Sequence, residues 1–129
     1  MKKTTIFTAL IIILSIFVEA QTTEEIKAIV PNTKDNQIMI DDFLALEQIS
    51  LSNSSYTITY FEISYKDSEY FYSKKSNSNT LSAEQKEGLS KLKDSKEATQ
   101  TIYIEGIKAK SNDGKEIRVE PLILTLYLK

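Results

Sequence analysis

The sequence predicts a mainly β fold, a β-sandwich of about seven short strands with one short helix inserted at about residues 82–93. Three observations carry this reading. Apolar side chains alternate with a period of two over several runs, as in Tyr56–Tyr65 and Leu122–Leu128. The apolar period lengthens to about 3.6 only once, between Leu81 and Leu92. Turn-forming residues, above all Asn112-Asp113-Gly114, separate the alternating runs. Half-buried strands cover their apolar faces most simply by stacking two sheets. An open α+β sheet with the helix on one face is the alternative arrangement.

The elements follow in order. Ile26, Ala28 and Val30 alternate and meet the turn Pro31-Asn32, which marks a short first strand. After the polar turn Lys34-Asp35-Asn36, Gln37–Ile40 is a second short apolar piece. Asp41-Asp42 then opens either one helical turn through Phe43 and Leu44 or a direct path into a strand at Ile49 and Leu51. Tyr56–Tyr65 is rich in Tyr, Thr, Ile and Phe, which favour pleated, half-buried surfaces. Its apolar phase changes near Tyr60, which predicts partial cover on both faces. Lys66-Asp67-Ser68 predicts a turn, and Glu69–Lys75 its partner strand.

Ser82-Ala83-Glu84-Gln85 is a capping box: the Ser hydroxyl takes the amide three residues on, and the Gln reaches back. Glu97–Lys110 returns to strand, and its phase slips at Gly106, where glycine suits a β-bulge. Glu116–Val119 runs back across the Asn112-Asp113-Gly114 turn. Pro121 punctuates, and Leu122, Leu124, Leu126 and Leu128 alternate to the end.

Residues 1–20 predict a cleavable secretory signal peptide. Lys2 and Lys3 form a positive start, and Ile6–Val18 is an apolar run too short for a membrane core of about 30 Å. Val18-Glu19-Ala20 places small residues where signal peptidase reads, so Gln21 begins the mature chain. An uncleaved anchor is the competing reading. No Cys follows the leader, so lipidation is excluded. The expected location is the periplasm or beyond, with no stable membrane anchor. What remains forms a single domain from residue 21 to 129.

Composition narrows the function. The 129-residue chain has no Cys, His or Trp. Disulfides, thiolate chemistry and zinc-thiolate sites are therefore excluded, and the usual near-neutral proton shuttle is missing. The formal charge of −2 becomes −3 once Lys2, Lys3 and Glu19 leave, so nucleic acid is not an expected partner. The three Gly are isolated, so no phosphate loop exists.

Three local patterns resemble reactive sites, and each has a plainer explanation. Asn112–Glu116 lacks the carboxylate spacing of a calcium loop and contains Lys115; it reads as a hairpin turn. Asp41 and Asp42 are neighbours and poorly placed for two-carboxyl catalysis; they read as helix-start or solvated residues. Ser82 and Lys86 have the spacing of a Ser-Lys pair, yet Ser82 is accounted for as the cap. No catalytic residue, metal or cofactor is expected. The mixed charges of Lys86–Lys110 read as solvated surface.

Tyrosine is the more telling residue, because it is large, stiff and amphipathic at binding surfaces. Tyr60, Tyr65, Tyr70, Tyr72 and Tyr103 fall on predicted strands and form the candidate protein-binding face.

The second half of the chain also carries an ordered set of motifs. These are Leu81-Ser82-Ala83-Glu84-Gln85, Leu89-Ser90-Lys91-Leu92-Lys93, Tyr103-Ile104-Glu105-Gly106-Ile107-Lys108-Ala109, Asp113-Gly114-Lys115 and Pro121-Leu122-Ile123. The set, with the Tyr56–Ser64 strand before it, resembles the C-terminal domain of the gliding-motility protein GldM over roughly residues 45–129. The resemblance implies an immunoglobulin-like β-domain in the periplasm of a Bacteroidetes-type bacterium. It also implies a role in touching partner proteins of the type IX secretion and gliding machinery, without chemistry. The chain departs from that family in its leader, its single domain and its longer Asp94–Gln100 link. The expected function is thus non-catalytic binding of another periplasmic or envelope protein. A secreted glycan-binding or protease-inhibiting domain is the alternative.

Overall fold

A computed structural model describes residues 25–67 and 69–129. The leader expected at 1–20 lies outside the described residues. The chain is mainly β, with two sheets and the inserted helix expected near 82–93, as the alternation predicts; a five-residue helix precedes that one at Ile40–Leu44. Its elements are β1 (Ala28–Ile29), β2 (Gln37–Met39), α1 (Ile40–Leu44), β3 (Ser50–Leu51), β4 (Tyr56–Lys66), β5 (Phe71–Ser76), α2 (Ala83–Ser90), β6 (Thr99–Ser111), β7 (Glu116–Arg118) and β8 (Leu122–Tyr127). A 3-10 turn, Lys91–Asp94, prolongs α2. The sheets are unequal. One has six strands, ordered β2-β8-β6-β4-β5, with β7 also paired to β6; the other is the pair β1-β3.

The segment after Asp41 resolves as a helical turn first and a strand second, with Ile40 and Phe43 buried beneath α1. The predicted strand at 69–75 starts later, at Phe71. The cause is local: Asp67 Oδ1 accepts the amides of Glu69 and Tyr70 at 2.8 and 2.9 Å, which holds both residues in a turn. The same amides keep the Asp67 carboxyl below its ordinary pKa, Tyr70 contributing most. β7 and β8 do not pair with each other. Both run antiparallel to β6 along one of its edges, end to end, with the Pro121 break between them.

The phase changes in β4 and β6 turn out to be one feature. Ile58 pairs with Ala109, Tyr60 with Lys108, and Glu62 with Glu105. β4 therefore carries one extra residue before Tyr60, and β6 carries one extra residue at Gly106, which has φ +61°. The two bulges compensate within a few residues and the register is restored. Their effect is to return Ile58, Phe61, Ile63, Ile104, Ile107 and Ala109 to one buried side. β4 is thus not apolar on both faces; its apolar side chains share one side.

That side is the core. Leu124 and Leu126 of β8, Ile102 and Ile104 of β6 and Ile38 of β2 join the β4 residues there. Phe43 of α1, Leu89 of α2, Leu92 and Leu51 of β3 cover them. Helices and small sheet therefore lie on the same side of the large sheet.

The predicted capping box forms and does more than cap. Ser82 Oγ accepts from the Gln85 amide at 3.2 Å, and Gln85 Oε1 accepts from the Ser82 amide at 2.9 Å. Each side chain also donates outward, Ser82 Oγ to the Lys75 carbonyl and Gln85 Nε2 to the Lys74 carbonyl. Both carbonyls belong to the outer edge strand β5, so the helix start also shields a sheet edge. Gln85 is fully buried, and its amide needs both a donor and an acceptor. Gln85→Glu keeps the shape and loses the donor. It is expected to cost about 2–3 kcal/mol at neutral pH. A buried carboxyl titrates higher in the folded state than in the unfolded one. The variant therefore recovers stability as pH falls toward about 4, where the protonated acid again donates. Urea melts at pH 7 and pH 4 read this directly.

Candidate binding face

The other side of the large sheet has nothing packed on it among the described residues. Its composition follows from register. Across the middle, Ser73 of β5, Ser64 of β4, Tyr103 of β6 and Ile123 of β8 pair in one transverse row. Beside it lie Thr101, Thr125 and Gln37, and beyond them Thr99, Tyr127 and Met39. The Tyr127 hydroxyl bonds Gln37 Oε1 at 3.0 Å, which fixes that corner. Tyr103 is 40% exposed, Met39 44% and Ile123 54%. Phe71 adds 65% at the β5 edge. On β6, β8 and β2 these rows carry no charged side chain, although 26% of the whole chain is Asp, Glu, Lys or Arg; on β4 the second row holds Lys66. Depletion of charge with retained aromatic and aliphatic groups is the compositional signature of an interface centre.

Charges flank the rows. Glu62 and Glu105 pair across β4 and β6 on one side of the Ser64–Tyr103 row, and Lys66 sits on the other, level with Phe71. Ser64 Oγ donates to Glu105 at 2.7 Å. Lys108 Nζ lies 5.1 Å above the Tyr60 ring, a cation–π approach. The Tyr60 hydroxyl is held above its ordinary pKa, first by desolvation and then by the Glu62 carboxylate.

The structure divides the five candidate tyrosines. Tyr103 and Tyr60 are on the open face. Tyr70 is exposed but stands in the β4–β5 turn, off the strand where the alternation placed it. Tyr65 and Tyr72 point to the covered side. Their rings stack with centroids 4.5 Å apart, and their hydroxyls reach α2: Tyr65 to the Gly88 carbonyl, Tyr72 to the Glu84 carbonyl at 3.1 Å. They are the platform on which α2 rests. Met39, Ile123 and Phe71 complete the open face and were not among the candidates. Ile123 was legible, since it is out of phase with Leu122 and Leu124.

Burial pushes the Tyr65 hydroxyl up to about 12, with the nearby Tyr72 hydroxyl adding to it. The unfolded chain loses this proton near pH 10, so the folded state holds more protons between 10 and 12. Stability is expected to be intact below pH 10. It then falls through that window by about 1.4 kcal/mol per pH unit for this group. Tyr65→Phe should flatten this alkaline limb in denaturation curves recorded from pH 9 to 12.

Two further features are open to solvent. A cleft of about 750 Å³ lies at the sheet end, between the β4–β5 turn and the segment after α2, lined among others by Tyr70, Asp67, Lys91, Asp94 and Lys96. The Asn112–Gly114 turn is closed by a Ser111–Asp113 hydrogen bond, which lowers the Asp113 pKa, and Gly114 takes φ +92°. Ser82 Oγ is engaged by the Gln85 amide and by the Lys75 carbonyl. Asp41 pairs with Lys93, tying α1 to the end of α2. Among the described residues, no three acidic side chains gather as metal ligands, and no helix is long and apolar enough to cross a membrane. The chain matches no protein-family model, and no curated protein matches it significantly.

Proposed function

We propose that this chain is a non-catalytic interaction module of the periplasm, resembling the C-terminal domain of GldM and meeting another envelope protein through its open sheet face. The observation that carries this is the uncharged stretch of that face on β6, β8 and β2, with Tyr103 and Ile123 exposed side by side and Met39 exposed two rows along. An isolated exposed apolar residue is ordinary, whereas a contiguous patch on a rigid sheet marks a contact surface. Export by the leader and the link to secretion or gliding machinery rest on the sequence motifs.

The test is binding with one charge introduced. Ile123→Lys lies on the solvent side and leaves the core intact, so it should fold as the wild type does by circular dichroism. It should fail to retain the envelope protein that the wild type retains from periplasmic extract. Equal retention by both proteins contradicts the proposal. The alternative, a secreted ligand-binding domain, draws on the polar cleft beside Tyr70. It predicts instead that Tyr70→Ala, and not Ile123→Lys, removes binding.

A further inference from the structure

We infer that the open face pairs with the same face of a second copy of this chain, related by a two-fold axis along the row Ser73–Ser64–Tyr103–Ile123. This rests on the reading of that face as a contact surface and names its occupant. Opposite charges lie symmetrically about the row. On β4, Lys66 and Glu62 flank Ser64 at equal distance and on the same side of the sheet. A two-fold axis through Ser64, running across the strands, sets Lys66 against the partner subunit's Glu62, and the reverse pair forms with it.

The neighbouring strands obey the same rule. On β5, Phe71 and Lys75 flank Ser73, so the axis lays an aromatic ring against an alkylammonium chain. On β6, Thr101 and Glu105 flank Tyr103, so a hydroxyl donor meets a carboxylate. On β8, Thr125 and Pro121 flank Ile123, and neither is charged. No like charges meet. The only ion pair among the described residues is Lys93–Asp41, so Glu62 and Lys66 have no opposite charge as partner within the monomer; Glu62 faces the Tyr60 hydroxyl instead.

The size of the face sets the strength. Five strands about 4.8 Å apart and three rows about 6.8 Å apart, the central one and one on each side of the axis, give roughly 500 Å² per copy, small for a specific interface. The association should therefore be reversible, dissociating in roughly the micromolar to sub-millimolar range. Two sheets packed this way lie about 10 Å apart with strands within about 30° of each other, close enough to keep the central pairs opposed.

Sedimentation equilibrium of the exported chain tests this, with charge exchange as the control. Glu62→Lys and Lys66→Glu alone each place two like-charge pairs across the axis. Each should weaken dimerisation about tenfold or more, with an unchanged circular dichroism spectrum. The double exchange restores opposite charges in both pairs and should return the dissociation constant to within about threefold of wild type. A chain that stays monomeric at about 1 mM overturns the inference, as does a double exchange no better than the single ones. If the chain is monomeric while Ile123→Lys still abolishes retention of an envelope protein, the face is a contact surface for a different partner. The inference then fails and the proposed function stands.

Discussion

Gly88→Ala is expected to destabilise the domain by about 2–3 kcal/mol, although the same change on an exposed helix normally stabilises by up to about 1 kcal/mol. The reversal comes from one contact. A Cβ at position 88 falls 1.8 Å from the Tyr72 hydroxyl oxygen and 2.2 Å from the ring carbon that bears it. The ring cannot simply turn aside. It is stacked on Tyr65, and its hydroxyl is bonded to the Glu84 carbonyl. Either α2 lifts from the sheet or the stack breaks. The background decides the sign. In Tyr72→Ala protein the space is empty, and Gly88→Ala should become neutral or stabilising by a few tenths of a kcal/mol. Denaturant melts of the four proteins yield the coupling energy. Additive single effects contradict the role given to the stacked tyrosines.

Deleting Thr59 is expected to cost about 4 kcal/mol or more, enough to unfold a marginal domain. Thr59 supplies the extra residue of the β4 bulge. Without it, β4 and β6 disagree in phase on one side of the bulge. A slip of one residue sends Ile58 and Tyr56, or Phe61, Ile63 and Tyr65, to the wrong face. Each large apolar side chain so exposed forfeits about 1.5–3 kcal/mol. Deleting Gly106 alone produces the mirror fault in β6. Removing both leaves two regular strands, with Ile58 in phase with Phe61 and Ile104 in phase with Ile107. The double deletion should thus be more stable than either single deletion by several kcal/mol. Melting temperatures of the three deletion proteins check this. A double deletion as poor as the single ones means the bulges serve something other than register.

The same feature shows what was readable beforehand. Each phase slip was visible in its own strand, at Tyr60 and at Gly106. That they lie opposite each other was not, because pairing β4 with β6 depends on contacts more than forty residues apart. The helix and its capping box were legible because both depend on residues within one turn. The extra work of Gln85, bonding the Lys74 carbonyl, was hidden because it is tertiary.

The tyrosines divide for a similar reason. Alternation separates Tyr60 from Tyr65, but it does not say which side α2 covers. That choice is made by the carbonyls of Glu84 and Gly88 meeting the hydroxyls of Tyr72 and Tyr65. Met39 joins the open face through parallel pairing of β2 with β8, some ninety residues away, which no local pattern encodes.

The central claim is that the uncovered sheet face is where this chain meets protein. In-cell photo-crosslinking tests it most directly, with a photoreactive phenylalanine analogue placed at position 123 and, as a control, at position 29. Both sites are exposed, at 54% and 44%, but Ile29 lies on the small sheet. The account expects a discrete crosslinked protein band from position 123 and none from position 29. A band from position 29 alone, or no band from position 123 in cells making the folded protein, contradicts it.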